Sequence, residues 1–203
     1  MGKRRGRADV EDDGGKRERV PRKTVAEQLD EGAITLDEAS DRARETLLRI
    51  LTAAPKSRRE LEQNLARKGF PEHVVTPVLD RFGEVGLVDD VSYADTLVRT
   101  RHAEKGMARR AIASELKRRG IDEDVASDAL DQLDPDEERE AGARLATKLV
   151  GRTRGLQRDA RVRRAVGALA RKGYSPGLAF ELVREALSAE GEETDDLEGA
   201  GLD

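Results

Sequence analysis

The chain has no cysteine and no tryptophan, and its only aromatic residues are three Phe and two Tyr among 203 residues. Without thiols, disulfide frameworks and thiolate chemistry are excluded, and a reducing compartment is permitted. With so few bulky side chains a single large core is excluded as well; several small helical cores of Leu, Val and Ala need fewer. No apolar run approaches the roughly 18 residues of a transmembrane helix. The N-terminal stretch MGKRRGRADVEDDGGKRERVPRK carries no apolar segment after its charges, which argues against a secretory signal. These absences together predict a cytoplasmic protein. No Walker-type glycine loop with a following Lys-Ser/Thr occurs, so the chain is not itself an ATPase of that class, and no Gly-x-Ser-x-Gly is present. His73 and His102 stand far apart, without His-x₃-His spacing, and read as surface or packing residues; neither metal nor cofactor is expected.

Charge is abundant by contrast, at 39% of residues, and the net of −4 hides a segregation. Residues 41–189 hold 29 Lys and Arg against 25 Asp and Glu, residues 1–40 hold 9 against 10, and residues 190–203 hold seven acids and no base. A mildly basic body therefore carries an acidic end.

One phrase is written three times: NLARKGFPEHVVTPVLDRF, ELKRRGIDEDVASDALDQL and ALARKGYSPGLAFELVREAL. With Gly69, Gly120 and Gly173 aligned, a leucine lies four residues before each (Leu65, Leu116, Leu169) and an apolar or aromatic residue one after (Phe70, Ile121, Tyr174). Beyond it, apolar residues recur at steps of three and four: Val74, Val75, Val78, Leu79 and Phe82 in the first copy, with matching sets in the others. That spacing is one stripe of an α-helix. The glycine closes one helix and turns the chain into the next, a position that favours a positive φ. Asp122, and Ser175 with Pro176, supply helix starts. Pro77 falls inside its predicted helix, where a kink is expected.

Each copy has room for a preceding helix, at 36–53, about 91–104 and about 136–151. Thr35 with Glu38 forms a capping box for the first, Asp90 caps the second, and Asp134 with Pro135 starts the third. The expected architecture is all-α: an elongated, monomeric tandem array of three three-helix repeats with disordered termini. The expected boundaries are a charged tail at 1–34, repeats at 35–89, 90–134 and 135–189, and an acidic tail at 190–203. TVAEQLDEG allows a short helical turn within the first tail.

Bases concentrate on the middle helix of each repeat. Arg109, Arg110, Lys117, Arg118 and Arg119 accompany one acid, Glu115; Arg158, Arg161, Arg163, Arg164, Arg171 and Lys172 accompany Asp159. These rows point to an electropositive surface for nucleic acid or an acidic partner. The pairs Arg67–Lys68, Arg118–Arg119 and Arg171–Lys172 close their helices, where the macrodipole favours cations by about 0.3–1 kcal/mol without any ligand. Arg158, Arg161 and Arg164, spaced three apart and earlier in their helix, are the stronger binding candidates. Arg152 and Arg154 lie just upstream, and Arg99, Arg101 and Lys105 lie on the helix before Gly106. Phe70, Tyr93 and Tyr174 can stack on bases in principle, but their positions favour core packing.

The segment GLVDDVSYADTLVRTRHAEKGMARRAIASELKRRGID resembles the central part of RecX regulatory proteins. The residues that carry the likeness are Gly86, Leu87, Asp89, Asp90, Tyr93, Ala94, Lys105, Gly106, Arg109, Arg110 and Gly120. SRRELEQNLARKGF and RVRRAVGALARKGY resemble the flanking copies, so the likeness runs from about residue 40 to 188. It departs at Tyr93, where phenylalanine is commoner, and at Pro77. The resemblance implies a non-enzymatic modulator of the RecA recombinase in DNA repair and recombination. Such a protein binds along the recombinase filament on single-stranded DNA and limits its ATPase, strand-exchange and coprotease activities, with single-stranded DNA as a secondary contact. The alternative is a free-standing helical DNA-binding protein, whose last helix would enter the major groove. The five acids of Asp122 to Leu133 (Asp122, Glu123, Asp124, Asp128, Asp131) argue against that alternative. A helical hydrolase has only loose carboxylates in its favour.

Overall fold

The computed structural model of the protein describes residues 23–191. Those residues form ten helices and no strand. A short α1 (Val25–Asp30) precedes three groups of three: α2 (Leu36–Ala53), α3 (Arg58–Arg67) and α4 (Glu72–Glu84); α5 (Asp90–Ala103), α6 (Arg109–Arg118) and α7 (Glu123–Asp131); α8 (Pro135–Gly151), α9 (Arg158–Arg171) and α10 (Pro176–Ala189). Helix pairs in extended contact lie within one repeat, apart from α1 on α2 and α5 on α8. The architecture is therefore the expected tandem array.

The helix starts are set by local chemistry. The Thr35 hydroxyl accepts the Glu38 N–H at 3.2 Å while the Glu38 carboxylate accepts the Thr35 N–H at 2.8 Å, the reciprocal pattern of a capping box. Thr24 with Glu27 and Ser57 with Glu60 repeat it on α1 and α3. Asp122, Asp134 and Ser175 cap α7, α8 and α10. On α5 the cap is Asp89, which accepts the N–H groups of Val91 and Ser92, and not the expected Asp90. Asp90 is instead the first helical residue, and its carboxylate accepts the Arg58 N–H at 2.8 Å.

Two further expectations are corrected. Residues 25–30, placed within a tail ending at 34, are helical; the capping box of Thr24 and the burial of Val25 and Ile34 against the first repeat order them. Glu190, assigned to the acidic tail, follows α10 and is ion-paired to Arg154 and Arg161. α4 runs unbroken through Pro77, six positions in, at the loss of one backbone donor. The rest of both tails, 1–22 and 192–203, lies outside the described residues.

Each repeat buries its own apolar cluster. Leu47, Leu61, Leu65 and Leu79 fill the first, Ile112, Leu116 and Leu130 the second, and Leu169, Leu182 and Leu187 the third. Each such side chain contributes about 1.5–3 kcal/mol when fully removed from water.

The middle helices meet end to end. The C-terminal turn of α9 abuts the start of α6, where the Ala108 N–H donates to the Lys172 carbonyl at 2.9 Å. The C-terminal turn of α6 abuts the start of α3, where the Ser57 hydroxyl donates to the Arg119 carbonyl at 2.6 Å. The turn after α3 abuts α1, where the Ala26 N–H donates to the Gly69 carbonyl at 2.9 Å. Leftover acceptors of one helix meet leftover donors of the next, and the dipoles run head to tail. The repeat glycines sit at these joints. Gly120 (φ +74) lies so close to Arg59 that a Cβ would fall 1.9 Å from its Cδ; at Gly173 (φ +96) a Cβ would lie 2.7 Å from the Ala111 backbone nitrogen. Glycine is required there for close approach as well as for the left-handed turn.

Candidate partner-binding surface

The end-to-end joints link the middle helices of successive repeats, and equivalent residues recur on each. Ten residues before each repeat glycine stands an arginine, Arg59, Arg110 or Arg163; two residues before it stands another, Arg67, Arg118 or Arg171. All six are exposed. Arg59, Arg110, Arg118, Arg163 and Arg171, with Lys117 and Arg164, make no ion pair among the described residues. Among the described residues, Arg67 bonds to the Gln63 carbonyl and the Asn64 side chain and makes no ion pair. Two concavities lie along this row. A groove of about 880 Å³ crosses from α3 to α6 and α7, with Arg59, Gln63, Arg109, Lys117 and Arg118 on its walls. A shallower cleft of about 580 Å³ holds Arg163, Arg164 and Arg171 over Leu149, Ala160 and Ala168. Apolar floors with free guanidinium groups suit a carboxylate- or phosphate-bearing partner.

The remaining predicted cations divide sharply. Arg101 forms a fork on Glu115, at 2.8 Å from Nε and 2.7 Å from Nη2, with only 18% of its side chain exposed. It supports the second repeat internally. Arg109 donates to the Leu130 carbonyl at 2.7 Å and to Asp131 at 2.5 Å, tying α6 to α7 along the groove wall. Arg99, Lys105 and Arg152 are exposed, and the Lys105 carbonyl accepts the Lys172 ammonium at 2.7 Å. Arg154 reaches Glu190 at 3.1 Å.

Arg161 is the clear departure from expectation. It is 2% exposed, donates to the Val150 carbonyl at 3.1 Å and pairs with Glu190 at 2.6 Å. A cation so enclosed joins α8, α9 and α10 and cannot present itself to a partner. Arg158 is half-buried, its Nε and Nη2 enclosed and without a hydrogen-bond partner among the described residues. The row of Arg158, Arg161 and Arg164 is thus not one surface. The signal lay in the repeat alignment: twelve residues before the glycine stand Ser57, Ala108 and Arg161, all buried. Starting one turn further from its glycine than α3 or α6, α9 carries Arg161 into that slot. The same alignment would have found Arg59.

At the joint of the first two repeats Arg119 organises a polar cluster. Its Nη2 meets Glu115 at 2.8 Å, its Nη1 meets Glu60 at 3.2 Å and also the Tyr93 hydroxyl, and its guanidinium carbon lies 5.8 Å from the Tyr93 ring centre. The Tyr93 hydroxyl donates to Glu60 at 3.1 Å. Hydrogen bonds from Arg101, and then from Arg119, outweigh burial and bring the Glu115 carboxyl down to about 2. Burial pushes the Tyr93 hydroxyl up. Burial opposes ionisation of Glu60, but the Ser57 N–H, Tyr93 and Arg119 together hold its carboxyl below the usual range. His102 is buried, its Nδ1 3.3 Å from the Met107 carbonyl, and His73 is exposed, so the two histidines share no site.

Residues 43–82 match the family model for the first three-helix domain of RecX, and residues 89–130 match that for the second. Regulatory protein RecX of Thermobifida fusca is 48% identical over 164 residues, spanning 81% of this chain and 89% of that protein. The chain belongs to the RecX family. The RecX of Streptomyces coelicolor is 44% identical over 162 residues, 80% of this chain and 86% of that one. Among solved structures, one of a regulatory protein RecX superposes with a TM-score of 0.66 at 27% identity, covering 76% of this chain and 77% of that one. RecX from Lactobacillus salivarius superposes with a TM-score of 0.62 at 23% identity, covering 74% and 97%, and supports the fold alone. No helix among the described residues is long and apolar enough to cross a membrane.

Proposed function

We propose that this RecX-family protein regulates the RecA recombinase by binding along its filament on single-stranded DNA and restraining filament growth and ATP hydrolysis. It acts by binding and needs neither metal nor cofactor. The observation that carries the reading is the division of the cations. Those ten and two residues before each repeat glycine are exposed and without an ion pair among the described residues in all three repeats, whereas Arg58, Arg101, Arg109, Arg119 and Arg161 are held by acids. An exposed arginine costs little to leave unpaired, and a row in one register over three repeats fits a partner with its own repeat. A filament has such a repeat. Residues Arg59, Arg110, Lys117, Arg118, Arg163, Arg164 and Arg171 carry the contact, with Arg99, Lys105 and Arg152 as peripheral charges. Single-stranded DNA is a secondary contact through the same charges.

Direct major-groove reading by the last helix of a repeat is disfavoured. In the second repeat that helix exposes Glu123, Asp124, Asp128 and Asp131, which phosphates repel. The test is DNA-dependent ATP hydrolysis by purified RecA with increasing amounts of this protein, beside binding to bare single- and double-stranded DNA. Inhibition well below one molecule per RecA protomer is expected, since one bound regulator stops growth of a whole filament. Tight binding to bare duplex with no effect on the ATPase would favour the DNA-binding alternative.

A further inference from the structure

The two joints between repeats are built differently. At the joint of the second and third repeats, Ala108 enters the apolar cluster of the third repeat and α5 packs on α8. Tyr174 is buried there and donates to the Gly106 carbonyl at 3.2 Å. Apolar surface therefore crosses that joint. At the joint of the first and second repeats the two apolar clusters are separate and no helix pair is in extended contact; the apolar matter that meets there is the aliphatic stem of Arg59 against Gly120 and the edges of a cleft lined by Leu51, Leu87, Tyr93 and Leu97. The ties across it are chiefly polar. They comprise Ser57 to the Arg119 carbonyl, the Arg58 N–H to Asp90, and the triangle of Arg119, Glu60 and Tyr93. The large basic groove straddles this same joint, with Arg59 and Gln63 on one side and Arg109, Lys117 and Arg118 on the other.

We propose that the first joint is a hinge latched by Arg119, Glu60 and Tyr93, and that latching assembles the basic groove, so that repeat alignment and anionic-partner binding are one coupled equilibrium. The link to RecA rests on the function proposed above; the hinge and the groove do not. The physical reason is linkage. A partner that bridges Arg59 and Arg118 binds only the closed arrangement, and whatever holds that arrangement raises its affinity. A joint of exchangeable hydrogen bonds opens more readily than one with an apolar seam, because water replaces the lost bonds at little net cost.

The test uses Glu60→Gln with Tyr93→Phe in the full-length chain. Gln at this position retains the capping box of α3, and the pairing of Glu115 with Arg101 and Arg119 is left in place. No groove cation is altered. Because the chain has no cysteine, Thr76→Cys and Asp128→Cys give a unique dye pair across the hinge, and Asp128→Cys with Arg184→Cys reports the other joint. Single-molecule energy transfer should show one narrow distance across the hinge in the otherwise unaltered chain and a broadened, longer distribution in the double variant. The control pair should not change. Inorganic polyphosphate should narrow the variant's distribution, and its affinity should fall roughly fivefold or more in the variant. An unchanged distribution overturns the hinge; a broadened distribution with unchanged polyphosphate affinity overturns the coupling. RecA inhibition is read in parallel. If the unaltered protein fails to inhibit, the functional reading falls while the distance and polyphosphate measurements still decide the hinge.

Discussion

Replacing Glu115 by Gln removes one charge from beneath two guanidinium groups while preserving the size of the side chain. Glu115, Arg101 and Arg119 have side-chain exposures of 11%, 18% and 24%, so water reaches the cluster poorly and cannot take over the lost role. The Glu115 carboxyl lies at about 2 when folded against an ordinary 4.5. That difference corresponds to about 3 kcal/mol of stability in the ionised state. The sign follows from the direction. A carboxyl lowered by folding contributes fully above its unfolded value and loses that contribution as pH falls from about 4.5 towards 2. Breaking a buried pair by removing one partner costs a similar 3–5 kcal/mol. Urea denaturation followed by circular dichroism should therefore show Glu115→Gln less stable by about 3 kcal/mol at pH 7, and thermal melting a midpoint lower by about 6–12 °C. Other carboxyls also titrate, so the informative quantity is the difference between the two proteins, which should shrink between pH 4.5 and 2. A loss below about 1 kcal/mol at pH 7, or a difference that does not shrink on acidification, would refute the reasoning.

The glycines with positive φ should rank by what surrounds them. Gly173→Ala meets the Ala111 backbone and should lower the thermal midpoint far more than Gly32→Ala, which meets open space and bears only the positive-φ strain of about 1–2 kcal/mol; equal losses would contradict the end-to-end joints. Arg161→Glu places an acid in an enclosed site beside Glu190 and should destabilise the third repeat by about 3–5 kcal/mol, whereas exposed Arg164→Glu should stay within about 0.5 kcal/mol in the same denaturation assay. RecA inhibition should weaken as salt rises above 0.15 M, where the screening length falls below about 8 Å, and inhibition indifferent to salt would argue against a charge-led contact.

The helices and their caps were legible because their causes are local. A Thr three residues before a Glu, an Asp before a Pro, and a Gly followed by an apolar residue each act within one turn of backbone. The apolar stripes were legible because burial imposes their period. What joins the repeats was not, since Gly120 serves both a turn and a contact with Arg59 across 61 positions, and the turn alone explains the residue. The cations were the least legible. Arg101, Arg161 and Arg163 look alike in a row of letters, and only the partners brought by folding separate a buried tie from a free charge. Part of that difference was available all the same. The position of Arg161 is taken by buried Ser57 and Ala108 in the other copies, and that of Arg163 by exposed Arg59 and Arg110.

The most direct test of the proposed regulatory surface is inhibition of RecA by a variant with Arg59, Arg118 and Arg163 all changed to Glu, one exposed cation per repeat. The helical circular dichroism signal should be retained, since none of the three is buried or ion-paired among the described residues, while the thermal midpoint should fall modestly because Arg118 sits in the last turn of α6 and the Arg59 stem packs on Gly120. Inhibition of DNA-dependent ATP hydrolysis at matched concentrations should fall by about tenfold or more, as three desolvated charge contacts are reversed. A folded variant that inhibits as well as the unaltered protein would contradict the assignment of this surface to the RecA filament.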